Sequence, residues 1–245
     1  LILIYIYNMI KQFGTNYGSF YYPEDLNGLN ENSIIYCIGA GEDISHDIEI
    51  AHQLNSDVYI FDPTPRAIQH VNLVKSIFNN ELDYKNYNDS KFGGGDINYW
   101  NKLLSTRINS NKIKMYNYGI HTTNEILKFY EPSNKDYVSH SLVHGMKSDE
   151  YIFVQVKNLK TVMTELNHRH IDLLKMDIEG SECDVINQML LDGIFPKYIA
   201  VEFDLAYNGE RIKDINKCND TIQNLLKYNY ELIYQNHSDY TFRLK

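Results

Sequence analysis

Two apolar stretches in the second half of the chain end in acidic residues, and the first of them also contains a lysine. Side chains of these types at this spacing could bind a substrate or move a proton. The first stretch carries Lys175, Asp177 and Glu179, and the second ends at Glu202 and Asp204. Residues two apart on a strand, such as Lys175 and Asp177, share one face. The carboxyl ends of parallel strands meet at one edge of an open α/β sheet, where ligands bind. The pattern predicts that these carboxylates converge on one rim.

These charged residues have two interpretations, because charge inside a central strand is costly unless it is paired. In the functional interpretation, Asp177, Glu179 or Glu202 orients a hydroxyl substrate or takes its proton. Lys175 then pairs with a neighbouring carboxylate and keeps it ionised. In the structural interpretation, the same residues form a buried network that satisfies only its own charges.

A histidine and a metal ion are the other candidates for activating a hydroxyl. His140 lies in a polar loop, residues 131–150, that also contains His144. It is a candidate base, although a lone histidine is more often structural. The carboxylates could instead hold a divalent metal that acidifies the hydroxyl. Their positions show no clean ligand spacing, so we predict no metal site.

A glycine turn near the start of the chain is the expected cofactor site. Mostly apolar residues 34–38 run into Gly39-Ala40-Gly41, which is typical of a buried parallel strand, a tight turn and a helix start. Glycine lets the backbone turn sharply and lets a ligand approach closely. A second strand over residues 58–61 ends at Asp62, about 20 residues beyond the turn, where an acid meets a ribose hydroxyl. The pair predicts an adenosine-containing cofactor.

The same turn discriminates between cofactors. A dinucleotide fingerprint needs a third glycine, and Ile44 occupies that position. Glu42 and Asp43 stand where a pyrophosphate would meet the helix N-terminus, and like charges are unfavourable there. S-adenosylmethionine has no phosphate and carries a sulfonium and an ammonium, which suit nearby carboxylates. The alternative is a purely structural strand-turn-helix corner.

The composition limits the class of protein and of partner. The chain has 245 residues and a net charge of −9, which argues against non-specific binding to nucleic acid. Its three cysteines form no C-x-x-C pair, which favours reduced thiols and a cytoplasmic location. Residues 1–7 are apolar but shorter than the ~20 residues of a membrane span. They also lack the features of a signal peptide, so no span is expected.

Strand and helix patterns alternate along the chain, which predicts an α/β fold. Glycines mixed with aromatics in residues 11–33 predict an ordered segment that covers a sheet edge or forms a lid over the cofactor. Residues 79–98, with Gly93-Gly94-Gly95, predict a flexible insertion. No repeat or linker interrupts the pattern, so we predict one domain over 1–245, with residues 1–33 as an N-terminal extension or lid. Further strands are expected over 113–118, 126–130, 151–157 and 198–204, and a terminal hairpin over 230–234 and 240–244.

Three motifs follow one another in order within residues 34–204. They are Gly39-Ala40-Gly41-Glu42-Asp43, Phe61-Asp62-Pro63-Thr64-Pro65 and Asp172-Leu173-Leu174-Lys175-Met176-Asp177-Ile178-Glu179-Gly180-Ser181-Glu182. Together they resemble the FkbM family of S-adenosylmethionine-dependent methyltransferases, and the last motif is the most specific. Many members of that family carry glutamate where this chain has Asp62, and either acid can hold a ribose.

The resemblance implies a Rossmann-like class I methyltransferase fold, an α/β structure with a mostly parallel seven-stranded sheet and a C-terminal antiparallel hairpin. It also implies S-adenosyl-L-methionine as cofactor and O-methylation of a small molecule, such as a sugar or glycan precursor. The residues expected to bind the cofactor are Gly39, Ala40, Gly41, Glu42, Asp62, Pro63, Gly119 and Asp177. Those expected to act on the acceptor are Asp177, Glu179, Glu202, Lys175 and His140.

Two other functions are compatible with the sequence. One is an oxidoreductase of the NAD type, which Ile44 and the acidic turn disfavour. The other is a non-catalytic cofactor-binding or scaffolding protein on the same fold.

Overall fold

The structure is a computed structural model that describes residues 9–87, 97–143, 148–203, 206–207, 210–211 and 215–245. Several residues considered above lie outside the described residues: the apolar stretch 1–7, Gly93-Gly94-Gly95, His144 and Asp204.

Strands and helices alternate along the central part of the chain, as predicted. The strands are β1 (Ile10–Phe13), β2 (Phe20–Pro23), β3 (Ile35–Ile38), β4 (Val58–Phe61), β5 (Ile113–Tyr116), β6 (Gly119–Ile120), β7 (Glu125–Tyr130), β8 (Tyr151–Lys157), β9 (Leu173–Met176), β10 (Tyr198–Glu202), β11 (Ala206–Tyr207), β12 (Glu210–Arg211), β13 (Tyr230–Asn236) and β14 (Asp239–Leu244). The helices are α1 (Ser45–Leu54), α2 (Pro65–Phe78), α3 (Ile97–Ser105), α4 (Leu159–Glu165), α5 (Glu182–Leu191) and α6 (Ile215–Lys227).

A seven-stranded sheet forms the centre of the molecule, in the order β13-β14-β10-β9-β3-β4-β5. The strands from β10 to β5 pair in parallel, and β14 pairs antiparallel with both β10 and β13. The mostly parallel sheet is as predicted, and β13 and β14 form the expected hairpin at the end of the chain.

Helices cover both faces of this sheet, which explains the continuous apolar runs of its strands. Ile35 and Cys37 of β3 lie in one buried cluster, together with residues of α1, α2 and α3. Tyr36 and Ile38 of the same strand lie in the other cluster, with residues of α4, α5 and α6. The alternation of side chains along β3 therefore serves two cores. Lys175 is the register partner of Cys37, which places its side chain on the first face.

Smaller sheets flank the central one. β6, β8 and β7 form a three-stranded sheet, and β1 with β2 and β11 with β12 form two-stranded hairpins. Gly119 was expected to end a strand over residues 113–118. Instead β5 ends at Tyr116, and Gly119 begins β6, which pairs in parallel with β8.

The ends of α2 and α5 carry residue types that are common at helix ends. Thr64 precedes α2 and Pro65 is its first residue, but the Thr64 side chain makes no capping hydrogen bond. Gly193 follows α5 with a φ of +73°, as expected of a residue beyond a helix end. The insertion predicted over residues 79–98 is partly helical in its described residues, since Tyr84–Tyr87 forms a 3-10 turn and α3 begins at Ile97.

The hairpin of β1 and β2 covers part of the central sheet through aromatic contacts. The ring of Tyr21 stacks on Tyr234 of β13 at 4.2 Å between centroids. Tyr22 meets Tyr198 of β10 edge to face at 6.2 Å. The segment predicted as an ordered covering is therefore a packed hairpin. No helix in the described part of the chain has the length and apolarity needed to cross a membrane.

Candidate cofactor and active site

A cavity of about 460 Å³ opens at the carboxyl ends of β3, β4, β9 and β10. Its size suits a small ligand, and its place in the sheet is the usual one for ligands in open α/β folds. All of the predicted site residues line it: Gly39, Ala40, Gly41, Glu42, Asp62, Pro63, Gly119, His140, Lys175, Asp177, Glu179 and Glu202.

Other segments complete the cavity, and the sequence analysis named none of their residues as site residues, although a lid was one of the two roles considered for residues 11–33. Residues 16–20, between β1 and β2, form one part of the lining, and His237-Ser238-Asp239, at the turn into β14, form another. Phe129, Val154 and Val156 of the three-stranded sheet provide apolar surface. Residues 11–33 were given two alternative roles, and this hairpin both covers the sheet and lines the cavity.

Both glycines of the turn have backbone angles that favour glycine, since Gly39 has a φ of +82° and Gly41 of +53°. A Cβ on Gly39 would lie 1.7 Å from the carbonyl oxygen of Asp177, so no other residue fits there. A Cβ on Gly41 would meet only Val138 Cγ1, at 3.7 Å. Gly39 therefore allows two strand ends to approach, and Gly41 leaves the cavity open.

Asp62 holds the glycine turn in place. Its Oδ2 accepts hydrogen bonds from the backbone N–H of Ala40 at 2.8 Å and of Gly41 at 3.1 Å. Its Oδ1 accepts one from the N–H of Thr64 at 2.7 Å. A carboxylate has about four lone-pair sites, so Asp62 keeps capacity for one further donor. The predicted bond to a ribose stays a prediction, and the structure adds a second role in the turn.

Glu42 is buried and forms a bidentate pair with Arg66. The Arg66 Nε and Nη2 atoms lie 3.0 and 2.7 Å from its two carboxylate oxygens. Arg66 Nη1 also donates to three carbonyl oxygens of residues 135–137, each at 3.2 Å. The pair therefore connects the glycine turn, the start of α2 and the loop that carries His140.

Lys175 is 6% exposed and donates a hydrogen bond to the carbonyl oxygen of Gly39. Burial by itself lowers the pKa of Lys175, but the nearby charges of Asp47 and Asp177 raise it above its usual value. The prediction of a direct pair with a carboxylate is wrong at contact distance, because none of the described carboxylates lies within 4.0 Å of the ammonium. Lys175 instead holds the backbone of the turn and acts on the carboxylates at longer range.

Three carboxylates lie together at the strand ends, and each has a raised pKa. Burial, then Glu202 and Glu179, raise the pKa of Asp177 to about 7, against the lowering effect of Lys175. Burial and Asp239 raise the pKa of Glu202, although Ser238 Oγ donates to its Oε1 at 3.2 Å. Burial and Asp177 raise the pKa of Asp239. Glu202 and Asp239 are cross-strand partners, and like charges in that position are unfavourable.

The backbone after Asp177 is strained and well supported. Glu179 has a φ of +61°, which is rare for a residue with a side chain. Ser141 Oγ donates to the Glu179 carbonyl oxygen at 2.6 Å, and Glu182 accepts from the N–H of Ile178 at 2.9 Å and of Gly180 at 3.1 Å. Glu182 belongs to the last sequence motif but was not predicted as a site residue. It supports the loop without lining the cavity.

His140 lies in the cavity wall with a defined orientation. Its ring stacks on Phe129 at 5.2 Å between centroids. Its Nδ1 lies 2.9 Å from the carbonyl oxygen of Val138, which can only accept, so Nδ1 carries the hydrogen of this bond. In the neutral ring Nε2 is then the basic nitrogen.

A buried group beside the cavity, two of whose members line it, combines three types of metal ligand. Ligand atoms of Cys37, His46 and Asp47 all lie within 4.8 Å of one another. His46 Nδ1 is 3.1 Å from Asp47, and Tyr22 Oη is 3.0 Å from His46 Nε2. Asp47 and Cys37 also raise the pKa of Lys175, so the ammonium is the positive charge that faces them. We assign no metal to this group.

One solved structure has a fold similar to that of this chain. Among solved structures, the crystal structure of methyltransferase FkbM from Methylobacillus flagellatus KT is similar to this chain, with a TM-score of 0.50 and 13% identity. The match covers 91% of this chain and 46% of that chain, so this chain spans less than half of that protein's length. At this identity the likeness shows the fold alone.

Sequence comparison gives the assignment. The comparison with curated proteins found no match. A family model described as the methyltransferase FkbM domain matches residues 31–232, which include the four strand ends at the cavity and most of the sheet. This chain therefore belongs to the FkbM methyltransferase domain family.

Proposed function

We propose that this protein is an S-adenosylmethionine-dependent O-methyltransferase that acts on a hydroxyl group of a small molecule, such as a sugar or glycan precursor. The observation that carries the proposal is the position of Asp177. Its carboxyl, with a pKa of about 7, ends the strand next to the glycine turn and faces the same cavity. A general base works best when its pKa lies near the operating pH.

The residues of the turn fit S-adenosylmethionine. The space above Gly41 is open, and Glu42 and Asp62 offer carboxylates to the cavity. Such a lining suits a ligand with cationic and hydroxyl groups and disfavours a pyrophosphate. When bound, the cofactor supplies a methyl group already activated by a sulfonium. Glu42 and Asp62 would hold the cofactor, with Asp62 offering its remaining lone pair to a ribose hydroxyl.

Residues at the strand ends act on the acceptor in this proposal. None of the described residues donates a hydrogen bond to the carboxylate of Asp177, so its oxygens are available to a hydroxyl. Ionised Asp177 takes the hydroxyl proton as the oxygen is methylated, and burial with Glu202 and Glu179 keeps its pKa high enough for that task. His140, through Nε2, is the second candidate for the proton. A base contributes typically ~10²–10⁴-fold, and alignment up to ~7–11 kcal/mol.

The hairpin of β1 and β2 and the turn into β14 would enclose the acceptor. Tyr17 and Phe20 line one side of the cavity, and His237 with Ser238 lines another. The family match supports a methyltransferase over the oxidoreductase alternative. We further propose that the chain is one domain that works in the cytoplasm on a small molecule, since its charge of −9 opposes binding to nucleic acid.

Calorimetric titration with S-adenosylhomocysteine and with NADH tests the cofactor. We expect saturable binding of S-adenosylhomocysteine and none of NADH, and the reverse result would overturn the proposal. Mass spectrometry of ligands that co-purify with the chain then provides candidate acceptors. A protein that binds S-adenosylhomocysteine but methylates none of them would support the non-catalytic alternative.

A further inference from the structure

Helices α5 and α6 lie side by side behind the strand ends, joined by a row of polar contacts. Lys217 Nζ lies 2.6 Å from Asp184 Oδ2. One turn further along, Asn187 Nδ2 donates to Thr221 Oγ1 at 2.8 Å, and Asn224 Nδ2 donates to Asn187 Oδ1 at 3.0 Å. These contacts fix the register of the two helices over most of their length.

Two cysteine thiols meet within this row. The sulfur atoms of Cys183 in α5 and Cys218 in α6 are 3.3 Å apart, although 35 positions separate them in the sequence. A disulfide bond is about 2.05 Å long, so a movement of roughly 1.3 Å between the helices would allow one to form. The third cysteine, Cys37, lies in the buried core of the central sheet.

We propose that Cys183 and Cys218 are an oxidation site, at which hydrogen peroxide converts the two thiols into a disulfide that ties α5 to α6. The surrounding contacts support this pairing, because Asp184 with Lys217 beside the cysteines and Asn187 with Thr221 one turn further along hold the two helices in register. Oxidation therefore requires only the movement of roughly 1.3 Å between the helices and no change in their register. The site is independent of methyl transfer and uses no residue of the cavity.

The environment of the two sulfurs predicts the order of events. Cys183 is 6% exposed, whereas Cys218 is half-buried, so peroxide reaches Cys218 first. The hydrogen bond with Cys218, and then burial, raise the pKa of Cys183, which keeps its proton. A thiolate and not a thiol attacks peroxide, so Cys218 is the reacting group and Cys183 resolves the product.

Two steps complete the reaction. The Cys218 thiolate attacks one peroxide oxygen, the O–O bond breaks, and a sulfenic acid forms with release of hydroxide, which takes a proton and becomes water. The Cys183 sulfur then attacks the sulfenic sulfur. The S–S bond forms, the S–O bond breaks, and the leaving hydroxide takes the Cys183 proton as a second water. Peroxide is reduced by two electrons, and the two thiols are oxidised by two.

Thiol counting on the full chain tests the proposal. The chain is treated with a small excess of hydrogen peroxide, quenched with catalase, denatured, and titrated for thiols. We expect the count to fall from three to one, and peptide mapping by mass spectrometry to show one crosslink, between the peptides of Cys183 and Cys218. The melting temperature should rise by about 5 °C, because the crosslink restricts the unfolded chain.

Single substitutions provide the controls. Cys183→Ser and Cys218→Ser should each abolish the crosslink and the rise in melting temperature, while Cys37→Ser should retain both. Mapping of the unsubstituted chain does not depend on how well these variants fold. Three remaining thiols, a crosslink that involves Cys37, dimers linked through Cys218, or sulfinic and sulfonic products in place of the crosslink would each overturn the proposal.

Discussion

Carboxylates line two sides of one cavity, and their surroundings differ. The turn group lies around the glycine turn and comprises Glu42, Asp43 and Asp62. The strand-end group lies where β9 and β10 end and β14 begins, and comprises Asp177, Glu202 and Asp239. Every member of the turn group accepts hydrogen bonds from neighbouring donors. Arg66 donates to Glu42, and the hydroxyl of Thr15 and the N–H of Ser45 donate to Asp43. Three backbone N–H groups donate to Asp62.

The strand-end group lacks comparable support. Burial raises the pKa of each member, and the members then raise the pKa of one another. Lys175 opposes this for Asp177 and Glu202, but its hydrogen bond goes to Gly39. The difference indicates that the turn group maintains the structure of the turn, whereas Asp177 of the strand-end group exchanges a proton near neutral pH. Substitution of the first should cost stability and affinity together, and substitution of the second should cost activity alone.

The largest effect is expected for Asp177→Asn. If Asp177 is the base, the methyl-transfer rate in a single turnover falls by ~10²-fold or more, because the amide cannot take a proton. Affinity for S-adenosylhomocysteine should stay within a fewfold, since the amide is nearly isosteric. The melting temperature at pH 8 should be unchanged or higher. The folded-state pKa of about 7 lies above the unfolded value of 3.8, so ionised Asp177 destabilises the fold above that range.

The structural interpretation of Asp177 predicts the opposite order. Stability would fall first, and activity per folded molecule would survive. A stable variant with near-normal methyl transfer would remove Asp177 from the mechanism. Nε2 of His140 and the carboxylate of Glu202 would then be the next candidates.

A second prediction concerns the turn group. Asp62→Ala should weaken S-adenosylhomocysteine binding by roughly 10- to 100-fold, which corresponds to the ~1.5–3 kcal/mol of a hydrogen bond to a charged group. It should also lower the melting temperature, because the N–H groups of Ala40, Gly41 and Thr64 lose their acceptor. Titration and thermal unfolding of the same preparation measure both effects. Unchanged affinity in the folded variant would leave Asp62 as a structural residue alone.

The sequence predicted the centre of this site better than its rim. The strand order brings Gly39, Asp62, Asp177 and Glu202 together because each follows or ends a parallel strand, and such ends share one edge. That rule needs only local patterns. It also explains why the glycine turn and the last motif together predicted the site, although they lie far apart in the chain.

The rim depended on pairings that no local pattern encodes. Residues 16–20 reach the cavity because Tyr21 and Tyr22 pack the first hairpin on the distant strands β13 and β10. His237-Ser238-Asp239 reach it because β14 pairs antiparallel with β10. Likewise, the alternation of side chains along a strand predicted that Lys175 and Asp177 share a face. It did not predict the hydrogen bond from the Lys175 ammonium to the Gly39 carbonyl, because that bond depends on side-chain packing.

Gly41→Val tests whether the open side of the turn is where the cofactor lies. The added side chain would enter the cavity, so we expect S-adenosylhomocysteine affinity to fall by about tenfold or more. Gly193→Val is a matched control, because Gly193 also has a positive φ, and a Cβ there would meet no atom within 4 Å, whereas a Cβ on Gly41 would meet one at 3.7 Å; Gly193 lies beyond the end of α5. Both variants carry the same kind of backbone strain. Equal affinities in the two variants would exclude this pocket as the cofactor site.

The pH dependence of methyl transfer should follow the strand-end group. Because the pKa of Asp177 is about 7, the single-turnover rate at saturating cofactor should rise about tenfold per unit below that pH and level off above it. The rate of the Asp177→Asn variant should lack this step. A flat profile between pH 6 and 8 in the unsubstituted protein would contradict the role of Asp177 as the base.

The smallest effect is expected when a neighbour of Asp177 loses its charge. Glu202 raises the pKa of Asp177, so Glu202→Gln should move the midpoint of the pH profile to lower pH. The plateau rate above pH 8 should change only a fewfold, because Asp177 is ionised there in both proteins.

Asp57→Asn is the matched control, since Asp57 faces Lys114 at 3.5 Å outside the cavity lining, and its profile should be that of the unsubstituted protein. A midpoint that stays in place would show that the two carboxylates titrate independently, and one that moves to higher pH would contradict the raising effect of Glu202 on Asp177. A plateau that falls by ~10²-fold would make Glu202 itself the base.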